Sequence, residues 1–271
     1  YCVVRPLGSG QMGDVFEATD SDGASVALKF LKFGPTRDRD MLVRFQREAK
    51  LCGALSNRHI VPVTGYGVFR NTPFLVMRKL TGHDLESWLE RTGPLDPSVA
   101  VSLMLGAAEG LACAHEAGAV HRDLKPANIF LDEGPDAIVT PILCDFGIAK
   151  IFDEEGALTA TGAVLGTPLY MAPEQLFDSK HVDARTDVWA LSMTLYHALA
   201  GRTAFHECKT VAEIGVALNE GRVPPLQDFA PWIEPGLARV VHAGLLAYDK
   251  RFPSVRELAS ALRLHGPAER A

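Results

Sequence analysis

The apolar positions of this chain change their period partway along. Up to residue 78 they come in short runs broken by turns, and from residue 85 onward they recur at helical spacing. Residues 1–7, 15–19 and 25–33 read as strands. They are separated by the turn Gly8-Ser9-Gly10-Gln11-Met12-Gly13 and a hairpin turn at Asp22-Gly23. Residues 39–55 place Leu42, Phe45, Ala49 and Cys52 on one face, as an amphipathic helix does. Two further strands fall near 61–68 and 74–78. Helices are predicted over 84–91, 97–118, 183–200, 210–219, 235–246 and 254–264. The pattern therefore predicts an α+β chain with a small β-rich lobe holding one main helix and a larger, mainly helical lobe. The short junction 78–82, with Gly82, reads as a hinge, which divides the chain into 1–77, 78–82 and 83–271. Residues 145–173 show little apolar period, and a loop that long inside a compact domain is usually functional.

Composition narrows the class. A chain of 271 residues suits one large or two modest domains, and 47% hydrophobic with 22% charged residues is ordinary for a globular protein. A net charge of −6 argues against nucleic acid as partner. The five cysteines, Cys2, Cys52, Cys113, Cys144 and Cys208, lack metal-type spacing and read as reduced thiols of a cytoplasmic protein. The longest apolar run, 188–201, falls short of the roughly 20 residues of a bilayer span. No membrane segment is therefore expected in this chain. The absence of an initiator Met and of a signal-peptide pattern is expected of a domain excised from a longer protein, which leaves room for a membrane tether outside this stretch.

The candidate chemistry centres on His121-Arg122-Asp123-Leu124-Lys125-Pro126-Ala127-Asn128. Within eight residues it offers an acid to accept a hydroxyl proton (Asp123), a cation to neutralise a moving phosphate (Lys125) and an amide oxygen for a hard cation (Asn128). Gly8-x-Gly10-x-x-Gly13-x-Val15 lets backbone approach phosphates, although alone it could be a glycine-rich hairpin. A dinucleotide-binding loop would run from strand into helix, and here a strand follows. Val26-Ala27-Leu28-Lys29 places a lysine on an apolar strand. Lysines there usually face solvent, but with the glycine loop and Glu48 on the next helix an ion pair is favoured. Asp145-Phe146-Gly147 follows a short apolar strand. It is either an Asx-type turn or, with Asn128, an oxygen-only pair suited to Mg²⁺ or Mn²⁺. Asp187 is either an N-terminal-turn acid or a strut beneath the catalytic loop.

The ordered set GxGxxGxV, VALK, HRDLKPAN, DFG and APE resembles the protein kinases, and GTPLYMAPEQ with DFGIAK resembles the bacterial serine/threonine type related to eukaryotic kinases. The match runs from about Leu7 to Leu264. The resemblance implies a bilobal kinase fold and Mg²⁺-dependent transfer of the ATP γ-phosphate to Ser and Thr hydroxyls of proteins. It implies that Gly8, Gly10 and Gly13 cover the phosphates, that Val15, Ala27, Lys79 and Leu80 line the adenine site beside the gatekeeper Met77, and that Asp84 reaches the ribose. Lys29 would pair with Glu48, Asp123 would act as base, Lys125 would steady the γ-phosphate, and Asn128 and Asp145 would hold the metal. Thr167 would touch Asp123, and Glu174 would pair with Arg251. Cys52, Val63, His121 and Phe146 would stack as a column between lobes, which makes His121 structural.

Arg122 before the catalytic acid implies control by phosphate on the long loop, with Thr159 and Thr161 as autophosphorylation candidates and a homodimer as one route to phosphorylation in trans. Three departures stand out. Arg78-Lys79 replaces an acidic and an aromatic residue at the hinge, which is expected to alter the adenine rim and lower nucleotide affinity. Ser192 replaces a frequent Gly. Residues 132–140 are longer than usual. The rival reading is a nucleotide-binding pseudokinase or signalling scaffold, disfavoured because Lys29, Glu48, Asp123, Asn128 and Asp145 are all present. A small-molecule kinase would lack Ala172-Pro173-Glu174, and Lys125 disfavours tyrosine specificity.

Overall fold

The computed structural model describes residues 1–10, 12–32, 39–134, 139–146, 167–177 and 182–266; the side chains of residues 39, 40 and 167 lie outside this description. The chain opens with an antiparallel sheet. Strands β1 (Cys2–Ser9), β2 (Gly13–Thr19), β3 (Ser25–Leu31), β4 (Val63–Phe69) and β5 (Thr72–Arg78) lie in the order β1-β2-β3-β5-β4. Asp20 makes the β2–β3 turn by accepting from the Asp22 and Ala24 amides at 2.9 and 2.8 Å. Helix α1 (Arg39–Ala54) buries Met41, Phe45, Ala49 and Cys52, the periodic face read from the sequence, with Met41 in place of Leu42.

The remainder is mainly helical. A second sheet of β6 (Gly82–Asp84), β7 (Ile129–Glu133) and β8 (Val139–Leu143) sits between the lobes. The helices are α2 (Leu85–Thr92), α3 (Pro97–Glu116), α4 (Pro173–Phe177), α5 (Ala184–Ala200), α6 (Val211–Asn219), α7 (Leu226–Phe229), α8 (Pro235–Ala243) and α9 (Val255–Arg263). Helix α3 starts on an Asp96 cap with Pro97 at its first position. It is long and apolar enough to cross a membrane by length and composition alone. In this fold it is a core helix, with 61% of its most apolar window buried. Helix α5 is buried almost all round and stops at Gly201, whose φ of +69° provides the left-handed cap. Ser192 fits inside it because its hydroxyl bonds back to the Val188 carbonyl at 2.8 Å and faces Gly244, where any side chain would collide with it.

The lobes meet along β8. The Val61 amide donates to the Leu143 carbonyl at 3.0 Å and the Leu143 amide to the His59 carbonyl at 2.8 Å. That seam fixes the residues following β8 against α1.

Candidate active site

The catalytic loop follows α3 and is held from below. Asp187, in the first turn of α5, is wholly buried. Its carboxylate accepts from the His121 amide at 2.8 Å, the Arg122 amide at 3.0 Å and His115 Nε2 at 2.7 Å. Burial alone would push its pKa up, but the hydrogen bond and charge of His115, with the backbone amide of His121, outweigh that and hold it down. Of the two readings of Asp187, the strut describes its bonding. Those bonds hold Arg122 at a φ of +67°, a left-handed conformation that costs a non-glycine residue about 1–3 kcal/mol.

Above this strut the three polar groups of the loop converge. Lys125 Nζ lies 3.2 and 3.0 Å from the two carboxylate oxygens of Asp123. Asn128 Nδ2 donates to the Asp123 carbonyl at 2.6 Å and to Asp123 Oδ2 at 3.1 Å. With both amide hydrogens turned inward, the Asn128 side-chain oxygen is left for a cation. His121 is fully buried. Its Nδ1 accepts from the Asp123 amide at 3.3 Å, so the proton sits on Nε2, which donates to the Cys144 carbonyl at 2.9 Å. Its ring stacks on Phe146 at 4.5 Å between centroids. Phe146 accepts a 3.2 Å bond from the Cys52 thiol, and both line a small apolar cavity with Val63 and Met77. The four residues of the expected column thus adjoin one another.

Asp145 follows β8 with a φ of +68°, and its Oδ1 lies 2.5 Å from Lys29 Nζ. Here the structure differs from the expected Lys29–Glu48 pair. Among the described residues the ion pair of Lys29 is with Asp145, because the left-handed turn swings that carboxylate under β3. Glu48 is buried on α1 and is not free. Its negative charge lies near Cys52, whose thiol is pushed up to about 12, first by burial and then by that charge. Burial likewise pushes the Cys144 thiol well above its ordinary range, which disfavours the thiolate.

Val15, Ala27, Met77, Leu80 and Cys144 belong to one apolar cluster beneath the first sheet. In the glycine turn, among the described residues, Gly13 is the sterically forced position, since a Cβ there would collide with the Phe30 carbonyl oxygen. Gly8 has nothing within 4 Å and Gly10 only a carbonyl at 3.9 Å, so both leave room above the site. Asp84 is committed locally: its carboxylate caps α2 by accepting from the Ser87 amide and hydroxyl, both at 2.8 Å. The hinge basics reach opposite lobes. Lys79 Nζ lies 2.5 Å from Glu17 on β2, and Arg78 Nη2 lies 2.9 Å from Asp132 on β7, which also accepts from the Thr81 amide at 2.8 Å. The Lys79 bond, ahead of burial, holds the Glu17 carboxyl below its ordinary range.

Glu174 and Arg251 form the expected pair, buried and two-point at 2.7 and 3.2 Å. Thr159, Thr161, Gly147, Gly166 and the Thr167 side chain lie outside the described residues. Two contributors were not singled out from sequence. Asp132 left no local signal. Gln175 did: a glutamine three residues into a helix opened by Ala172-Pro173 is one half of a capping box.

A family model described as the protein kinase domain matches residues 1–229. A probable serine/threonine-protein kinase of Corynebacterium efficiens is 36% identical over 97% of this chain and 41% of its own length. Serine/threonine-protein kinase PknE of Mycobacterium bovis is 35% identical over 96% of this chain and 45% of its own. The chain thus spans less than half the length of these curated relatives. Among solved structures, the kinase domain of Mycobacterium tuberculosis PknI superposes with a TM-score of 0.77 at 29% identity, covering 97% of this chain and 94% of that one. The sheet-over-helices fold, the buried catalytic loop and these relatives agree: the chain belongs to the protein kinase family, as a catalytic domain of the bacterial serine/threonine type.

Proposed function

We propose that this domain transfers the γ-phosphate of ATP to serine and threonine hydroxyls of proteins with Mg²⁺, and that it phosphorylates its own Thr159 and Thr161. The observation that carries this reading is the convergence of Lys125 and Asn128 on the Asp123 carboxylate within 3.2 Å. Asp123 orients the attacking hydroxyl and takes its proton late. Lys125, already beside that carboxylate, offers positive charge to the phosphate in flight. The donor set suits a hard cation: the Asn128 side-chain oxygen and the Asp145 carboxylate are all-oxygen ligands. Mg²⁺, when bound, neutralises charge on the phosphates. Lys29 steers the α- and β-phosphates, and the apolar cluster around Val15, Ala27 and Met77 covers the adenine.

The lobe boundaries we propose are 1–77 and 83–271 around the hinge 78–82, supported by the end of β5 at Arg78 and the start of β6 at Gly82. The free cysteines support a reducing compartment, the cytoplasm. Phosphorylation in trans, through a homodimer, is the proposed route to the loop threonines.

The test is incubation of the purified domain with labelled ATP, with Mg²⁺ or with chelator, followed by mapping of the modified residues. Label on Thr159 or Thr161 that needs metal and disappears in the double change to Ala is expected. A first-order dependence of specific rate on enzyme concentration marks the trans route. Label that persists at the same level in the double variant refutes the loop assignment, and no label on any acceptor refutes the transfer reading.

The hinge gives a separate expectation. Arg78 and Lys79 brace it to β7 and β2, so removing both side chains loosens the lobes over the nucleotide. Changing both to Ala is expected to raise KM for ATP while kcat holds, measured by initial rates against ATP. An unchanged KM means the braces do not set the adenine site.

A further inference from the structure

Arg122 sits at a left-handed φ of +67°, and its backbone amide and carbonyl are held by different elements. Its amide donates to Asp187 Oδ1 at 3.0 Å, from below. Its carbonyl accepts from Gln175 Nε2 at 2.7 Å, from α4. Gln175 is itself fixed. Its Oε1 accepts from the Ala172 amide at 3.1 Å, the reach-back bond of a residue at the third position of a helix. That bond assigns oxygen and nitrogen on the side-chain amide, since only the nitrogen can then serve the Arg122 carbonyl. The carbonyl in question belongs to the peptide that carries the Asp123 amide. Its orientation sets where the Asp123 carboxylate points, and the left-handed φ of Arg122 means that this peptide would relax elsewhere if released.

We propose that Gln175 is a positioning residue for Asp123: its side-chain amide ties the Ala172-Pro173-Glu174 segment to the Arg122 carbonyl and so holds the acid in line for transfer. This rests on the phosphoryl-transfer reading above. Gln175 touches no reacting atom and acts only through the loop. The strut Asp187 cannot replace it, because a carboxylate accepts and the Arg122 carbonyl needs a donor.

The bond also predicts how chemistry at this position reads out. Gln175→Leu keeps the bulk and removes both bonds. Gln175→Glu keeps the acceptor for Ala172 but sets a second oxygen against the Arg122 carbonyl, an unfavourable contact until the carboxyl takes a proton and becomes a donor. The experiment is steady-state transfer to a peptide acceptor by wild type, Gln175→Leu and Gln175→Glu over a range of pH, with Tm of each. A fall in kcat of about 10- to 100-fold is expected for both variants near neutral pH, with KM for ATP unchanged. The ratio of Gln175→Glu to wild-type kcat is expected to rise as pH falls through the carboxyl range, while the Gln175→Leu ratio stays flat. Wild-type kcat in either folded variant, or a Gln175→Glu ratio that does not move with pH, overturns the proposal. A loss in Tm without loss of kcat per folded molecule reduces Gln175 to a helix cap and also overturns it. A silent wild type, by contrast, sinks the reading of the site itself, and this inference with it.

Discussion

Asp123→Asn is expected to lower kcat by about 10²–10⁴-fold, the usual contribution of a general base, with KM for ATP nearly unchanged. The substitution is isosteric, so the loop keeps its shape. The Asn128 and Lys125 donors, at 3.0–3.2 Å from the carboxylate in the native chain, retain an oxygen to bind. What disappears is the negative charge that orients the hydroxyl and the lone pair that takes its proton. A change confined to that step appears in kcat and not in ground-state binding. The measurement is steady-state transfer to a peptide acceptor, with nucleotide affinity measured separately. Activity that survives the change removes Asp123 as the base. Activity lost together with nucleotide affinity points instead to a collapsed loop, with the Arg122 peptide as the place to look.

The site was legible where its chemistry is local. Asp123, Lys125 and Asn128 lie within six residues, so spacing alone places them together, and a strand after Gly13 separates this loop from a dinucleotide fold. The strands and the periodic helices were legible for the same reason: 2.0 and 3.6 periods are written into adjacent positions. Contacts between distant segments were not. Lys29 meets Asp145 across 116 positions because a left-handed turn after β8 aims the carboxylate, and no run of residues announces a positive φ at an aspartate. Asp187 could be read as a helix-end acid or a strut, since both uses put an acid in a first turn. Only the buried loop amides decide between them. The hinge basics were visible as departures, but their partners Glu17 and Asp132 sit on strands that meet the hinge only after folding. Helix α3 passes for a span by length and composition, yet Glu109 breaks its apolar run and its apolar residues face the core, which counting run length alone does not describe.

Arg251→Met is expected to cost about 3–5 kcal/mol of stability, the usual penalty for stripping one partner from a buried ion pair. The Arg251 side chain is fully buried and Glu174 nearly so. Arg251 joins three segments at once. It holds Glu174 at two points, donates to the Arg185 carbonyl at 2.8 Å and the Leu246 carbonyl at 3.1 Å, and lies 5.0 Å from the centroid of the Trp189 ring. Methionine fills much of the same volume but leaves the Glu174 carboxylate with the Thr186 hydroxyl at 3.1 Å as its remaining bond from this group. For a domain of this size such a loss moves Tm by on the order of 10 °C. Arg251→Lys should fall between, because a lysine keeps the charge but not the two-point geometry. The pair Glu174→Gln with Arg251→Met should recover part of the loss, since it removes the uncompensated charge instead of exposing it. Thermal unfolding of wild type, these three variants and the single Glu174→Gln measures all of this. Additive losses in the double variant would mean that Arg251 matters through its carbonyl and ring contacts alone. A double variant more stable than Arg251→Met would show that Glu174, left unpaired, is what drives the single variant apart. Because α4 also carries Gln175, a loosened Glu174 would reach the catalytic acid through the Arg122 carbonyl, and kcat should then fall in Arg251→Met below its unfolding range as well.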